Sequence, residues 1–253
     1  MTQLTTLADA EAVSRRAARD IARRLEQARG ARGVAHMALS GGTTPGRAYE
    51  LLACELDDWE GVEVWFADER CVGPEDEQSN YRLAHQTLLA AAGIAGERVH
   101  RMAGELGPTE GAARYTRALR ERVPPEADVA APAPETDGEA DVPALDVIVL
   151  GIGPDGHVAS LFPGAPTLEA DERELCLGVH DSPKPPPERI TLSLAVLRAA
   201  RACVLLATGA GKADAVAAML GEPTRHVPAS LLRRGRLSVI VDDAAAPPAQ
   251  LGG

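Results

Sequence analysis

Short apolar runs alternate with helical patterns along most of this chain, and the alternation narrows the choice of fold more than any single motif does. Five runs have the length and composition of buried strands: Val34 to Leu39, Val62 to Ala67, Leu145 to Leu150, Ala202 to Ala207 and Leu237 to Val241. Segments with helical spacing follow most of them: Arg47 to Leu52, Tyr81 to Ala91 and Ala213 to Leu220. Strands separated by helices pair in parallel, because the helix returns the chain to the same edge of the sheet. The sequence predicts an α/β fold with a doubly wound, mostly parallel sheet and helices on both faces, which is Rossmann-like.

The length of the chain favours one domain. Its 253 residues, 45% of them hydrophobic, can bury a substantial core, and α/β folds of this size often form a single unit. We expect one domain over residues 1–253. The segment from Pro124 to Ala144 is rich in proline, alanine and acidic residues and lacks periodicity, so we interpret it as a flexible insertion within that domain.

Charge and cysteine usage restrict the partners and the compartment. The formal net charge of -11 repels nucleic acids and anionic membrane surfaces, so we expect neither as a partner. The cysteines are far apart and form no C-x-x-C motif, which favours reduced thiols over zinc ligands or disulfides: Cys54, Cys71, Cys176 and Cys203. No apolar stretch resembles a signal peptide or a membrane span. We therefore expect a soluble cytoplasmic protein, and, in the absence of a heptad or an exposed apolar stripe, a monomer or weak homo-oligomer.

In the segment from Leu145 to Pro163, a predicted strand leads directly into a turn with titratable side chains. Its apolar run leads into a glycine-rich turn that carries Asp155 and His157. Open α/β sheets bind ligands beyond the carboxyl ends of their strands, so this turn is a candidate site. The glycines also satisfy G-x-G-x-x-G, the dinucleotide fingerprint. Only six residues separate the last of these glycines from Pro163, too few for the helix that NAD binding requires, so we do not favour NAD as a cofactor.

His157 is the candidate acid or base. An isolated histidine near a helix start is more often a satisfied structural residue. Here Asp155 lies two residues away in the same turn and can hold one ring nitrogen, which leaves the other nitrogen to accept a proton. The combination of position and partner favours a catalytic role for His157 with Asp155 as its support.

Two further glycine-containing turns follow predicted strands and suggest an anion site. After Leu39 the chain reads Ser40-Gly41-Gly42-Thr43-Thr44-Pro45; the glycines suit an anion-binding nest, Thr44 suits a helix N-cap and Pro45 the first helical position. A well-capped helix alone would explain part of this pattern, but two glycines exceed what a cap needs. We predict that Gly41, Gly42, Thr43 and Thr44 bind phosphate, although the lysine of a P-loop is missing.

The second turn, Gly209 to Lys212, opens the predicted helix from Ala213. A lysine in the first turn of a helix faces the positive end of its dipole, at a cost of about 0.3 to 1 kcal/mol, unless an anion is shared there. A solvated lysine would tolerate that small cost. Together with the first glycine turn, Lys212 is better interpreted as a phosphate ligand.

Charged residues follow the strand that ends at Ala67. Asp68, Glu69 and Arg70 could be an ordinary surface ion-pair cluster. At a strand end, however, Asp68 can accept hydrogen bonds from sugar hydroxyls and Arg70 can offer its planar donor fork to an anion. A further cation, Arg189, follows three prolines that could direct it into the same cleft.

Five ordered motifs resemble one known family: LSGGTTP from Leu39, WFADERCV from Trp65 with Ser79-Asn80-Tyr81 after it, GIGPDGHVASLFPG from Gly151, SPKPPPERITL from Ser182, and TGAGK from Thr208. The chain resembles the 6-phosphogluconolactonases, within the glucosamine-6-phosphate deaminase-like superfamily, from its opening helix to about Val241. The resemblance implies hydrolysis of 6-phospho-D-glucono-1,5-lactone in the pentose phosphate pathway, without a metal or cofactor. It also implies the site residues: His157 as acid/base supported by Asp155, the phosphate held by the glycine-threonine loop, Arg189 and Lys212, and Arg70 nearby.

The resemblance suggests a mechanism. Neutral His157 would deprotonate a water that attacks C1 of the lactone, and the imidazolium would then protonate the departing ring oxygen. Two groups remain candidates for stabilising the oxyanion: Arg70, or backbone N–H groups of the turn from Gly153 to Gly156. Gly156 is for that reason counted among the residues that bind substrate.

Two alternatives stay open. An aminosugar-phosphate deaminase or isomerase of the same superfamily also places Asp-Gly-His after a strand, but its motif continues with Asn-Glu-Pro, whereas this chain continues with Val158 to Pro163. A non-catalytic sugar-phosphate sensor would have the same fold. Such regulators carry a helix-turn-helix module, and the first predicted helix, with its apolar positions from Val13 to Leu25, begins too near the start to leave room for one.

Overall fold

The nine strands form two sheets in the computed structural model, which describes residues 2–125, 142–232 and 234–247. The strands are β1 Gln3–Leu7, β2 Ala35–Leu39, β3 Val62–Phe66, β4 Asp68–Arg70, β5 Val147–Gly151, β6 Cys176–Val179, β7 Arg189–Leu192, β8 Cys203–Ala207 and β9 Leu237–Asp242. Six of them pair in parallel in the order β1-β9-β8-β5-β2-β3. The other three form a small antiparallel sheet in the order β4-β7-β6. The predicted α/β fold with a mostly parallel sheet is confirmed.

Seven α-helical segments connect and cover the strands in the described ranges. They are α1 Ala10–Arg32, α2 Thr43–Glu55, α3 Asn80–Ala84, α4 Ala90–Ala92, α5 Gly107–Arg122, α6 Leu194–Ala199 and α7 Ala213–Leu220. A π-helical turn, His85–Leu89, joins α3 to α4. Short 3₁₀ turns lie at Gly96–Arg98, Gly104–Leu106, Pro166–Glu169, Ala210–Lys212, Pro228–Leu231 and Arg234–Arg236.

The five predicted strands are all present and lie side by side in the large sheet, with β3 at one edge. Every residue of β2, β8 and β9 is buried, as expected of parallel strands covered on both faces. The sequence did not predict β1, because its QLTTL sequence alternates little and most of its residues are exposed or half-buried at the edge of the sheet. The long helix α1 buries the predicted stripe from Val13 to Leu25. Its ends are also well defined, by Asp9, whose side chain accepts from the Ala12 amide, and by Gly33 in the left-handed conformation.

The order of the strands places a topological switch point between β2 and β5. From β2 the chain moves through α2 to β3, towards one edge of the sheet. From β5 it moves to β8 and through α7 to β9, towards the other edge. Right-handed crossovers put α1 and α2, which pack together, on one face and α7 on the opposite face. The loops that follow β2 and β5 therefore diverge and leave a crevice at the carboxyl ends of these neighbouring strands.

The predicted insertion from Pro124 to Ala144 is described only at its two ends, since residues 126–141 lie outside the described residues. Pro125 pairs with Pro143 in an antiparallel bridge, and the amide of Ala144 donates to the carbonyl of Pro124 at 3.0 Å. The two ends of the segment thus lie side by side.

Three observations concern the thiols, membrane spans and metal sites of the chain. The four cysteines are free thiols. Within the described ranges, no helix has the length and apolar character needed to cross a membrane, and no cluster of three or more histidine, cysteine or acidic side chains is arranged to hold a metal ion.

Candidate active site

A cavity of about 240 Å³ lies at the switch point, at the carboxyl ends of β2, β5 and β8. Nine of the predicted site residues line it: Gly41, Gly42, Thr43, Thr44, Asp68, Arg70, His157, Arg189 and Lys212. The other two do not form its wall. Asp155 lies behind the His157 ring, and Gly156 packs against Val227. The structure thus brings together residues from five separate stretches of sequence.

His157 and Asp155 form a hydrogen-bonded pair in the turn after β5. Nδ1 of His157 lies 2.5 Å from Oδ1 of Asp155, and the turn is closed by the Gly153 amide, which donates to the His157 carbonyl at 2.9 Å. Gly153 is required here, because a Cβ at this position would overlap the His157 ring and the Asp155 carboxylate. The ring also rests against Phe162, with the ring centroids 4.7 Å apart. The imidazole is therefore fixed on several sides.

The surroundings of this pair favour a neutral imidazole beside an ionised carboxylate. Burial lowers the pKa of His157, and the hydrogen bond and negative charge of Asp155 offset that effect only in part. Burial by itself would raise the pKa of Asp155, but hydrogen bonds and positive charge from His157 and Lys184 outweigh it and hold this pKa below its ordinary value. With Nδ1–H donated to Asp155, Nε2 of the neutral ring carries the free lone pair.

Lys184 is a site residue that the sequence analysis did not single out. Its Nζ lies 3.2 Å from Oδ1 of Asp155 and 3.2 Å from Nδ1 of His157, and the side chain lines the cavity. The residue belongs to the SPKPPPERITL motif, so the motif held the signal. Its position next to the acid–base pair depends on the folding of a loop that has no periodic pattern.

Arg189 holds that loop in place. Its guanidinium donates to the carbonyls of Lys184, Pro185 and Pro186 at 3.0 to 3.1 Å, and the Pro185–Pro186 peptide bond is cis. The same group lies over the Phe162 ring at 5.5 Å. Arg189 therefore lines the cavity with most of its donors already bound to the backbone of its own loop.

The loop after β2 presents the start of α2 to the cavity. The helix begins at Thr43 and its N-cap is Gly42, with φ of 114°, a conformation that favours glycine, and without a side-chain cap. The prediction that Thr44 is the N-cap is wrong, because the helix begins before it. The Thr44 hydroxyl instead bonds to the Thr208 hydroxyl at 2.7 Å, which joins this loop to the one after β8.

Lys212 belongs to the loop after β8, within a 3₁₀ turn that leads into α7. Its Nζ donates to the carbonyl of Ile152 at 2.7 Å, so the lysine reaches across to the loop after β5. Burial and the positive charge of Lys184 lower the pKa of Lys212, while Asp155 acts in the opposite direction. The start of the turn is held by Asp242, whose two carboxylate oxygens accept from the Gly209 amide at 3.0 Å.

Asp68 and Arg70 belong to β4, and they differ in how fully they are paired. Oδ2 of Asp68 accepts from the Ser160 hydroxyl at 2.7 Å and Oδ1 from the Asn80 amide group at 3.1 Å. Arg70 donates from Nη1 to the carbonyl of Gln78 at 2.7 Å, but its Nε is buried without a partner. The Ser40 hydroxyl, also in the wall of the cavity, is likewise buried and unpartnered. Both residues thus bring a buried, unpartnered polar atom close to the cavity.

Glu69 explains why Ser79-Asn80-Tyr81 accompanies the charged strand in the sequence. Its carboxylate accepts from the amides of Asn80 and Tyr81 at 2.7 and 2.8 Å and from the Ser79 hydroxyl at 3.1 Å. It is buried, so its role is to hold the start of α3 against β4. Asn80 is thereby placed beside Asp68, and its side chain closely approaches Gly41.

The residues after His157 turn back through a strained position. Ala159 has a φ of 49°, in the left-handed region that alanine rarely adopts. The next residue, Ser160, then donates its hydroxyl to Asp68, and its amide donates to the Thr191 hydroxyl at 3.2 Å. This turn connects the loop of the acid–base pair to the small sheet.

The fold and the cavity define an α/β protein in which a hydrogen-bonded histidine–aspartate pair and the uncapped start of a helix share one crevice. Residues 8–241 match the family described as glucosamine-6-phosphate isomerases/6-phosphogluconolactonase, and the chain belongs to that family.

Individual relatives have one name in common. The chain is 38% identical to a 6-phosphogluconolactonase of Streptomyces coelicolor over 255 residues, covering 96% of this chain and 93% of the relative. It is 37% identical to a 6-phosphogluconolactonase of Mycobacterium tuberculosis over 222 residues, covering 85% and 86%. The crystal structure of 6-phosphogluconolactonase from Thermotoga maritima superposes with a TM-score of 0.79 at 26% identity, covering 96% of this chain and 99% of that one.

Proposed function

We propose that the chain hydrolyses 6-phospho-D-glucono-1,5-lactone to 6-phospho-D-gluconate, a step of the pentose phosphate pathway. The observation that carries the proposal is that one cavity holds both the His157–Asp155 pair and the uncapped start of α2 with Lys212. Hydrolysis of a phosphorylated lactone needs these two elements, a base for water and a site for a dianion. The names of the relatives at 37% to 38% identity support the same substrate.

The phosphate is assigned to the first turn of α2 and to Lys212. Gly41, Gly42, Thr43 and Thr44 line the cavity at the helix start, where no side chain caps the first amides and where the helix dipole favours a negative charge. Lys212 supplies a positive charge to the same cavity. Arg189 is another cation in the wall of the cavity, but its contacts with the carbonyls of its own loop favour a role in ordering that loop.

The chemical step is assigned to His157. The neutral ring takes a proton at Nε2 from a water that attacks C1 of the lactone, and the Asp155 carboxylate stabilises the imidazolium that forms. The imidazolium then gives its proton to the ring oxygen as the C1–O bond breaks. A lactone is an activated ester, so base catalysis of about 10²- to 10⁴-fold together with positioning is sufficient without a covalent nucleophile.

Arg70 is the group that we assign to the oxyanion. The amides of Gly153 and Gly156 already donate to the carbonyls of His157 and Gly153 at 2.9 Å, so they are not free for an oxyanion. Arg70 lines the cavity, and its guanidinium makes one hydrogen bond, from Nη1 to the Gln78 carbonyl, which leaves Nη2 to donate to an oxyanion. Gly156, with φ of 80°, then serves to shape the turn, and Asp68 can accept a sugar hydroxyl beside its two existing donors.

A direct assay tests the function. The lactone is generated enzymatically and the release of 6-phosphogluconate is followed for the unsubstituted protein, His157→Ala, and His85→Ala as a control, since His85 is exposed and outside the cavity. We expect rapid hydrolysis by the unsubstituted protein and the control and a loss of at least about 100-fold for His157→Ala. Unchanged hydrolysis by His157→Ala would refute the assigned mechanism.

Two comparisons separate the proposal from its alternatives. A strong preference for the phosphorylated lactone over glucono-1,5-lactone supports the anion site, whereas equal rates contradict it. Ammonia release from glucosamine 6-phosphate would indicate a deaminase, and tight binding of phosphosugars without turnover would indicate a sensor. We also propose a cytoplasmic location, which the four free cysteines support and which cell fractionation tests.

A further inference from the structure

Lysine is used in only two places in this chain, and both face the cavity. Of the 26 lysine and arginine residues, Lys184 and Lys212 are the lysines and all the others are arginines. Both lysines line the cavity at the switch point. A lysine ammonium is a compact point charge, whereas a guanidinium is a broad planar fork. The chain thus uses lysine instead of arginine only at these two positions, and at both of them the compact ammonium suits the cavity.

The position of Lys184 relative to the acid–base pair is specific. Its Nζ is 3.2 Å from Oδ1 of Asp155, the same oxygen that lies 2.5 Å from Nδ1 of His157. An ammonium has no acceptor, so Nδ1–H donates to Asp155 and the ammonium donates to Asp155 as well. Oδ1 of Asp155 thus receives two donors, and the positive charge of Lys184 remains 3.2 Å from Nδ1 of His157.

Several contacts hold the backbone of Lys184. Arg189 donates to its carbonyl at 3.0 Å and to the next two carbonyls of the loop. The Ser182 hydroxyl donates to the same Lys184 carbonyl at 2.8 Å and also accepts from the Lys184 amide at 3.2 Å. The ammonium is therefore presented from a tightly bonded loop, although its side chain is partly exposed.

We propose that Lys184 is a positioning residue that shares Oδ1 of Asp155 with His157 and thereby sets the proton affinity of the catalytic imidazole. The role rests on the proposed hydrolysis. Without Lys184, Asp155 would act on the imidazole alone and stabilise the imidazolium more strongly. With Lys184 present, the ring stays neutral as a base, and the imidazolium, once formed, is a stronger acid towards the ring oxygen of the substrate.

The groups that face His157 come from four parts of the fold. Burial, which includes the Phe162 ring, lowers its pKa; Asp155 raises it, Lys184 lowers it, and the negative charge of Asp68 in β4 raises it. Of these charges, Lys184 is the positive one. Its removal therefore has a defined sign: the pKa of His157 rises.

The first test follows the acid limb of the pH profile of kcat/KM for Lys184→Met and Lys184→Arg. His157 must be neutral to act as a base, so activity is lost as the pH falls through its pKa. In Lys184→Met we expect the midpoint of the acid limb to move up by about one pH unit, which lowers kcat/KM about tenfold on that limb. Lys184→Arg keeps the charge and should restore most of the original midpoint.

Lys212→Met is the matched lysine variant. Nζ of Lys212 donates to the carbonyl of Ile152, whereas Nζ of Lys184 contacts both His157 and Asp155. We expect this variant to raise KM for the phosphorylated lactone and to leave the midpoint of the acid limb in place. If Lys184→Met instead lowers kcat/KM equally at every pH with no shift, Lys184 is a substrate ligand and the proposal is wrong.

A measurement without substrate separates this proposal from the proposed function. Histidine-selective ¹⁵N labelling gives the pKa of His157 by NMR, with its signal among those of six histidines assigned through His157→Ala. We expect a higher pKa of His157 in Lys184→Met and a Tm close to that of the unsubstituted protein, because the Lys184 side chain is partly exposed. An unchanged pKa would overturn the role of Lys184 even if the lactone is hydrolysed. A raised pKa would support it even if the true substrate is different.

Discussion

Substitution of Gly153 tests the proposed roles of His157 and Asp155, because the side chains of both residues pack directly against this glycine. Replacing this glycine by alanine adds a Cβ that would overlap Nδ1 and Cε1 of the His157 ring and Oδ1 of Asp155. These atoms belong to two groups that are bonded to each other at 2.5 Å and cannot both yield without breaking that bond. We therefore expect the imidazole to be displaced by about 1 Å or more, a misplacement that can cost about 100-fold in rate.

Gly153→Ala should lower the stability of the protein without unfolding it. Inserting one methyl group into a packed site costs about 1 to 3 kcal/mol. For a chain of this size, that corresponds to a decrease in Tm of about 2 to 4 °C for each kcal/mol. The variant should therefore remain folded at 25 °C, so the loss of kcat/KM can be measured on native protein.

The assay compares kcat/KM for the phosphorylated lactone, Tm, and the pKa of His157 in Gly153→Ala and in Gly73→Ala. Gly73 is a suitable control because no atom lies within 4 Å of a Cβ built there and its φ does not require glycine. We expect a loss of at least about 100-fold for Gly153→Ala and little change for the control. Wild-type activity and an unchanged His157 pKa in Gly153→Ala would refute the argument that this contact fixes the ring.

Two further predictions concern pH and the helix start. Burial lowers the pKa of His157 below its ordinary 6.5, and the neutral ring is the active form. The acid limb of the pH profile of kcat/KM should therefore have its midpoint below pH 6.5. A midpoint above that value in the unsubstituted protein would contradict the assignment of His157 as the base. Gly42→Ala places a side chain at φ of 114° in the N-cap of α2. We expect a loss of about 1 to 3 kcal/mol in the free energy of unfolding and a higher KM for the phosphorylated lactone. An unchanged KM would argue against phosphate binding at the start of α2.

The sequence could predict that the site residues lie close together, because this follows from the parallel order of the strands. Each of the loops at Gly41, His157 and Lys212 comes directly after an apolar run, and parallel strands deliver all their carboxyl ends to one edge. Helix α7 has the bounds that the sequence predicted, Ala213–Leu220. These features depend on local pattern and on chain connectivity, both of which a sequence displays.

The features that were missed depend on contacts between segments far apart in sequence. The small antiparallel sheet consists of strands of three or four residues, too short for a period-2 pattern to stand out, so Asp68 and Arg70 were interpreted as following a strand when they form one. Lys184 reaches Asp155 only because Arg189 binds the carbonyls of its loop. The wrong N-cap assignment of Thr44 has a similar cause, since its hydroxyl is directed to Thr208, 164 residues away.

The hydrogen bonds between the Gly209 amide and Asp242 make the turn of Lys212 depend on β9. Asp242 is the final residue of β9, and its carboxylate also accepts from the Ala245 amide at 2.8 Å, which secures the chain directly after the strand. The turn that carries Lys212 is thus fastened by a strand that follows it in the chain and borders β8 in the sheet. Local opening of β9 should therefore release the Lys212 side of the cavity while the His157–Asp155 pair, in the turn after β5, stays in place.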